Sequence, residues 1–380
     1  MPRTARERAA AFLLLFALFA CTPRPPPPDH LTLSPASFAA LPQWPQDGTA
    51  AALSAFARSC VQLAKAPPTA AFGVAGTAAD WQSACAALPQ SADDAAARRY
   101  FETWFVPWLA GNNGATEGLF TGYYEPELAG ARHPGPGFTT PLLKRPPDLV
   151  MVDLGLFRPV LRGQRIAGRV VDGRLEPYQD RAQIESGALE RYHLPLVWVA
   201  DPVDAFFLEI QGSGLIQLRD GNTVRVGYDG QNGWPYVPIG RLLVDRGALT
   251  KENVSLQTIR AWIAAHPAEG RALMDENPSY VFFREITGDG PLGSEGVVLT
   301  PGRSLAVDRR FVPLGVPVFL DAGDGIQRLM VAQDTGGAIS GPVRGDVFWG
   351  TGAEAETRAG PMKARGRYFL LLPKGVSPTS

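Results

Sequence analysis

The chain has 380 residues, 45% of them hydrophobic and 19% charged, with a net charge of -1. That is enough apolar material for a sizeable core and two domains, and the near-neutral balance excludes a nucleic-acid binder or a polybasic membrane-surface protein. Its 41 glycines and 35 prolines favour a turn-rich, mainly β architecture over a helical bundle.

Arg3, Arg6 and Arg8 precede an apolar run, residues 9–20, that ends at Cys21. The run is too short to span a bilayer as a lone helix, so residues 1–20 read as a signal peptide. Leu18-Phe19-Ala20-Cys21 has the form of a bacterial lipobox, which makes Cys21 the expected site of lipidation; an ordinary secretory signal cut nearby is the alternative. Residues 21–40 then hold the lipidated cysteine and a proline-rich tether, TPRPPPPD at 22–29. Such a segment is extended and semi-rigid and lifts a folded body off a membrane surface. Thr rather than Asp at position 22 resembles lipoproteins sent on to the outer membrane. The expected location is therefore the outer membrane, lipid-anchored and facing the periplasm.

Residues 41–126 begin with helical texture. LSAFARSCVQL and ADWQSACAAL carry apolar residues at helical spacing around Cys60 and Cys85. In an exported chain an even pair of cysteines favours a disulfide tying two helices; two buried free thiols are the alternative. AAARRYFETWFVPWLAG, residues 95–111, again has helical periodicity, with Gly111 as its stop.

From Gly118 the texture changes to short runs rich in β-branched and aromatic residues, punctuated by Gly, Asp and Pro, the signature of hairpins and small barrels. LEIQGSGLIQLRDGNTVRVGY predicts strand, Gly turn, strand, Asp-Gly turn, strand. Helical texture returns at IGRLLVDRGAL and SLQTIRAWIAAHP, and residues 279–373 read as strands. No internal repeat and no second apolar span are present.

None of the four histidines stands at zinc-ligand spacing with a cysteine, and the chain has no Walker loop or dinucleotide fingerprint. QGSGL misses the spacing of a nucleophile elbow and lies in a hairpin pattern. The expectation is no metal and no organic cofactor, which leaves carboxylates and aromatics. Asp308, Asp334 and Asp346 fall in the C-terminal third, the last two within QDTGGAISGPVRGDVFWG. Aromatics accompany them there, in TGYYEP and in GQNGWPYVP. A carboxylic acid can protonate a glycosidic oxygen, and an apolar neighbourhood raises its pKa. Phe348 and Trp349 are placed to do so for Asp346, while Arg344 would act in the opposite sense. Aspartate beside glycine is also an ordinary turn-capping residue, and aromatics are often core.

In order along residues 118–372, FTGYYEPEL, FFLEIQGSGLIQL, VGYDGQNGWPYVPIGRLL, MDENPSYVFFRE, GVVLTPGRSLAVDRRFVPLGVPVFL and VAQDTGGAISGPVRGDVFWGTGAEAETRAG resemble the membrane-bound lytic murein transglycosylase A family, with its C-terminal three-aspartate domain. The resemblance implies a mainly β fold with N-terminal helices (α+β): a double-psi β-barrel with a second, smaller β-domain inserted and a glycan groove between them. The expected bounds are 41–126 for the N-terminal part of the main domain, 127–236 for the insert and 237–380 for the C-terminal, barrel part.

The resemblance also implies cleavage of the β-1,4 bond between N-acetylmuramic acid and N-acetylglucosamine without water. The muramic acid C6 hydroxyl attacks its own anomeric carbon and leaves a 1,6-anhydro end, so one carboxyl group serves as acid and then base. Asp346 maps to that residue, with Asp308 and Asp334 as supporting carboxylates. Tyr123, Tyr124, Glu125, Gln211, Gly212, Ser213, Gly214, Gln231, Asn232 and Gly233 are the expected sugar contacts. Glu125 also stands out as the second carboxylate that hydrolysis would need.

Two other readings stay open at this point: a hydrolase of the muramidase or endoglucanase type, and a non-catalytic peptidoglycan-binding lipoprotein. The expected partners are peptidoglycan strands and an outer-membrane lipid anchor, with a cell-wall synthesis complex as a further candidate, no nucleic acid, and a monomeric chain.

Overall fold

The structure is a computed structural model, described for residues 27–161, 164–323 and 325–378. The signal segment and Cys21 lie outside the described residues. No helix of the described residues is long and apolar enough to cross a membrane.

After a short strand β1 (Leu31–Pro35) come three helices, α1 (Thr49–Leu63), α2 (Ala78–Ala86) and α3 (Asp94–Trp104). Each has a stated reason to start or to bury a face. In α1, Ala52, Phe56, Cys60 and Leu63 form one buried stripe at helical spacing. A capping box from Thr77 and Asp80 opens α2. Asp93 caps α3 by accepting from the Ala96 amide. A Cys60–Cys85 disulfide joins α1 to α2, a cross-link that stabilises by ~3 kcal/mol in the chain-entropy account.

The helix expected to run to Gly111 stops at Trp104, and β2 (Phe105–Asn112) follows. Pro107 has no amide hydrogen to give to a helix interior, and in β2 it sits against the chain's last strand.

The order then runs β3 (Gly118–Glu125), β4 (Glu127–Ala131), β5 (Thr140–Leu143), β6 (Val150–Asp153), β7 (Arg165–Val171), β8 (Arg174–Pro177), α4 (Arg181–Gln183), β9 (Pro195–Val199), α5 (Pro202–Gln211), β10 (Ser213–Leu218), β11 (Thr223–Gln231), α6 (Ile239–Asp245), α7 (Leu256–Ala265), α8 (Pro267–Asp275) and β12 (Val281–Ile286). The chain ends with β13 (Ser304–Val307), β14 (Pro317–Ala322), β15 (Ile326–Asp334), β16 (Arg344–Thr351), α9 (Gly352–Ala359) and β17 (Lys363–Pro373).

Six of these strands close a barrel in the order β3, β16, β13, β15, β14, β17 and back to β3. β16 runs parallel to β3, and β13 parallel to β15; the other neighbours are antiparallel. Closure removes the exposed sheet edges that would otherwise invite pairing with other chains. β17 serves twice: residues 363–366 pair with β3 and residues 369–373 with β2, which brings in β1. Fully buried Phe120, Leu305, Val318, Leu329, Val347 and Leu370 fill the interior, each contributing about 1.5–3 kcal/mol of burial. β3 has to pass close to the turn before β16. A Cβ on Gly118 would lie 1.8 Å from the Val343 carbonyl oxygen, so only glycine fits.

The second unit is a sheet in the order β12-β11-β10-β4-β9-β5, whose two edges meet through a bridge between Lys144 and Phe283. A three-stranded sheet, β6-β7-β8, lies beside it. The insert therefore does not stop at residue 236: β12 pairs with β11 over residues 281–286, and α6–α8 bury Leu243, Ile263 and Leu273 against Phe206 and Phe207 of α5. The return to the barrel comes after Ile286. The first strand expected before QGSG is instead α5. Asp201 caps it through the Val203 amide, Pro202 fills its first turn, and Gly212 ends it in the left-handed region at φ 80.

Candidate active site

β16 and β3 lie side by side with Asp346 opposite Thr121 and Phe348 opposite Tyr123. Strand alternation sends Phe120 and Val347 into the barrel core and puts Thr121, Tyr123, Arg344, Asp346 and Phe348 on the other face. Thr121 Oγ1 donates a 2.7 Å hydrogen bond to Asp346 Oδ1 and accepts one of 2.8 Å from Arg344 Nη2. Arg344 is held in turn by the Leu119 carbonyl at 3.2 Å. A hydroxyl that accepts from a guanidinium turns its own proton towards the carboxylate, so the Asp346 side chain has one preferred orientation.

Asp346 is half-buried. Burial pushes its pKa up to about 6, with Arg344 and the Thr121 hydrogen bond opposing and the Asp334 charge adding to the rise. At mildly acidic to neutral pH the group can therefore hold a proton and later take one back.

Asp334 ends β15 and is held by four donors. Tyr123 Oη donates to its Oδ2 at 2.8 Å, while the Ser294 amide, Ser294 Oγ and the Thr335 amide reach its Oδ1 at 2.9, 2.9 and 2.8 Å. Burial nevertheless raises its pKa. Tyr123 stands between the two aspartates, its ring 5.3 Å from that of Phe348, and burial followed by the Asp334 charge pushes its hydroxyl pKa well up.

Several expected site residues do other work. Asp308 is buried and ion-paired with Arg310, and it also accepts the Gly341 amide at 2.9 Å. It fastens the turn before β16, the strand that carries Asp346. Glu125 is fully buried, bonded to Arg225 Nε at 2.9 Å and Thr351 Oγ1 at 2.7 Å. Arg225 belongs to β11 and also donates to the Gly288 carbonyl at 3.0 Å, so this pair clamps both chain crossings between barrel and insert. It leaves no free second carboxylate there.

Trp349, one residue past Phe348, points away from Asp346 and packs with Tyr124, Ala355 and Ala359 against α9. Tyr124 likewise faces away from Tyr123. It borders a separate cleft of about 250 Å³ lined also by Glu127, Asp204, Arg260 and Glu356, which does not include Asp346. Gln211 Oε1 accepts the Tyr124 amide at 3.0 Å, Gly212 makes the turn out of α5, and Ser213 and Gly214 open β10 opposite Gly227 and Val226. Asn232 is fully buried with its amide spent on the Gln179 and Pro278 carbonyls and the Tyr280 amide; it shapes the insert and has no capacity left for a sugar. The next residue, Gly233 at φ 87, lies against the Ala167 backbone. Gln231 ends β11 half-buried, opposite Val281. Among the described residues no group of three or more His, Cys, Asp or Glu is placed to hold a metal ion.

The barrel and insert meet across this face: Gly337 of the DTGG turn lies against Tyr236 of the insert. Both units of this fold have counterparts in known proteins. The MltA specific insert domain family matches residues 119–284 and the 3D domain family matches residues 303–372. A crystal structure of membrane-bound lytic murein transglycosylase from Agrobacterium tumefaciens superposes with a TM-score of 0.80 at 36% identity, over 90% of this chain and 98% of that one. The chain belongs to the membrane-bound lytic murein transglycosylase A family.

Within that family, the Escherichia coli (strain K12) protein is 36% identical over 265 residues, 66% of this chain and 65% of its own length. This chain thus spans just under two thirds of that relative in sequence. The E. coli structure with bound chitohexaose superposes with a TM-score of 0.64 at 28% identity, over 91% of this chain and 95% of that one. The insert match, ending at 284, agrees with the sheet in carrying the insert past residue 236. Thr121, Ser294 and Arg225 were not among the expected site residues, whereas Arg344 had been expected to lower the Asp346 pKa and does so. The period-2 pattern of TGYY, which puts Thr121 on the face of Tyr123, was the available signal for the first.

Proposed function

We propose that this chain is a peptidoglycan lytic transglycosylase with Asp346 as its single acid and base. The observation that carries this reading is the Asp346 carboxyl itself: half-buried, with a pKa pushed up to about 6, and aimed by Thr121. Asp346 gives its proton to the glycosidic oxygen as the C1–O bond breaks, and N-acetylglucosamine leaves with a free C4 hydroxyl. The Asp346 carboxylate then takes the proton of the muramic acid C6 hydroxyl while O6 bonds to C1. The proton count closes, and no water enters.

Asp334, with Tyr123 between it and Asp346, supports positive charge at C1 and holds up the pKa of the acid. The locked Glu125 favours this route over hydrolysis, which needs a second carboxylate to act on water. A relative that binds chitohexaose, a chain of β-1,4-linked amino sugars, supports a glycan strand in the space between barrel and insert. Relatives named as membrane-bound, together with the lipobox at Cys21, support an outer-membrane lipid anchor facing the periplasm.

The test is mass analysis of muropeptides released from purified peptidoglycan. Products one water lighter than reducing muropeptides, absent with Asp346→Asn, are expected. Reducing ends would make water the nucleophile and overturn the mechanism.

A further inference from the structure

The loop LGLFRPVL, residues 154–161, joins β6 to β7 and is unusually apolar for its exposure. Leu156 is 86% exposed, Phe157 73% and Val160 84%. Below the loop, Val152 pairs with Ile166, Val150 with Gly168, and Val170 with Leu175. Directly paired residues point to the same side of a sheet, so Val150, Val152, Ile166, Val170 and Leu175 make one outward apolar face. The opposite face rests on the insert, where Ala167 meets Gly233 and Met151 meets Gly230. Of the twelve large apolar side chains exposed among the described residues, eight lie in this one unit, and all but Met151 are in the loop or on its outer face. Singly scattered apolar residues are ordinary on a surface, whereas a concentration of this kind marks a docking face.

Where the chain emerges indicates what covers that face. Asp29 accepts from Asn112 at 2.7 Å, lies beside Gly341 and acts electrostatically on Arg310. The neighbouring Arg309 is close enough to Arg165 and Asp153 for both charges to act on it. Asp153 and Arg165 are the two ends of the apolar loop. The N-terminal segment thus leaves the body on the side where the loop projects. Seven residues, 22–28, separate Cys21 from Asp29, and a chain of that length reaches at most ~25 Å at about 3.3–3.6 Å each, so an anchor at Cys21 keeps the loop close to the membrane. Arg158 within the loop and Arg165 and Arg309 at its base outnumber Asp153 there, which suits an anionic lipid surface.

We propose that the loop 154–161 and the outer face of β6–β8 dock on the anionic lipid surface to which the N-terminus is tethered. Leu156, Phe157 and Val160 enter the acyl boundary with Arg158 at headgroup level. The proposal rests on the reading of Cys21 as a lipid anchor, and two separate readouts keep the two apart.

The full-length chain carrying Val160→Cys, labelled with a polarity-sensitive fluorophore, is reconstituted with phosphatidylethanolamine–phosphatidylglycerol vesicles containing brominated lipid; Glu269→Cys on α8 is the reference. Flotation reads the anchor and quenching reads the loop. Quenching several-fold stronger at 160 than at 269, lost with Leu156→Asp plus Phe157→Asp while flotation persists, is the expected result. Flotation without quenching at 160 overturns the docking and leaves the anchor standing. If the chain fails to float, the anchor reading falls, and the label with excess vesicles still decides: a saturable shift supports docking, and none overturns it. A label shielded only when envelope proteins are added means that a protein covers the face, and also overturns it.

Discussion

Thr121 and Asp346 belong to segments 225 residues apart in sequence, yet they sit opposite each other on parallel strands with the threonine hydroxyl 2.7 Å from the carboxylate. The same hydroxyl receives Arg344, so the acid is oriented by a chain of two side chains rather than by a direct salt bridge. Arg344 is thereby held by Thr121, where it lowers the Asp346 pKa without pairing directly with the carboxylate.

Thr121→Val is expected to cut kcat/KM by about 10- to 100-fold, the loss of one hydrogen bond to a charged group being worth ~1.5–3 kcal/mol. Removing a donor that stabilises the carboxylate also raises the Asp346 pKa, so the alkaline limb of the pH–rate profile moves up. Thr121→Ser keeps the hydroxyl and should restore most of the rate. An unchanged rate and pH midpoint for Thr121→Val would remove the threonine from the mechanism.

Two charge changes should move that limb in opposite directions. Asp346 acts as an acid while protonated, so turnover falls as pH rises through about 6. Arg344→Gln removes a cation that favours the ionised form, which shifts the limb upward. Asp334→Asn removes an anion that disfavours it, which shifts the limb downward. Muropeptide release followed across the acid-to-neutral range gives both midpoints; shifts of the same sign in the two variants would contradict the assignment.

The Glu125–Arg225 pair makes a prediction about stability rather than chemistry. Arg225→Met strands a fully buried carboxylate between barrel and insert, and removing one partner of such a pair typically costs about 3–5 kcal/mol. Denaturant unfolding should show that loss, and replacing both residues with apolar ones of similar size should recover much of it. Glu125→Gln in folded enzyme should still release anhydro products. Loss of turnover without loss of stability would return Glu125 to the chemistry.

How far the sequence carries the fold depends on the range of the interaction that decides it. Caps and apolar stripes are local, so α1–α3 and the Cys60–Cys85 link were legible. Asp346 and Asp334 stood out because glycines around them marked close crossings. LEIQ, residues 208–211, was taken for a strand because it follows the β-prone Phe206 and Phe207 and precedes a Gly turn, but the Asp201 cap and Pro202 favour a helix locally and the packing of α6–α8 settles it. Trp349 was assigned to the acid by proximity in sequence, whereas alternation along β16 turns it to the other face. Asp308 and Asn232 looked like site residues by type; only their partners, Arg310 for one and three backbone groups for the other, reveal structural roles. The parallel pairing of β3 with β16 leaves no trace in periodicity, and the Thr121–Asp346 contact depends on it.

Glu295 gives the last prediction. Its carboxyl accepts from Ser59 Oγ at 2.7 Å, and its amide donates to the Gln333 carbonyl at 3.1 Å. Gln333, fully buried, reaches the same Ser59 Oγ at 2.9 Å and the Ala55 carbonyl at 2.8 Å, fixing the end of β15 to α1. Burial pushes the Glu295 pKa up from 4.5 to about 7, only partly offset by Ser59. A carboxyl whose pKa is higher folded than unfolded binds its proton more tightly in the native state. The stability this contributes is complete below the unfolded value of 4.5 and is lost as pH rises through about 7. At about 1.4 kcal/mol per unit the loss amounts to ~3 kcal/mol at most. Glu295→Gln keeps an acceptor for Ser59 and carries no charge, so it should be more stable than the wild type above pH 7 and nearly equal to it below 4.5. Parallel denaturation curves for the two proteins at all pH values would show that Glu295 is not buried as described.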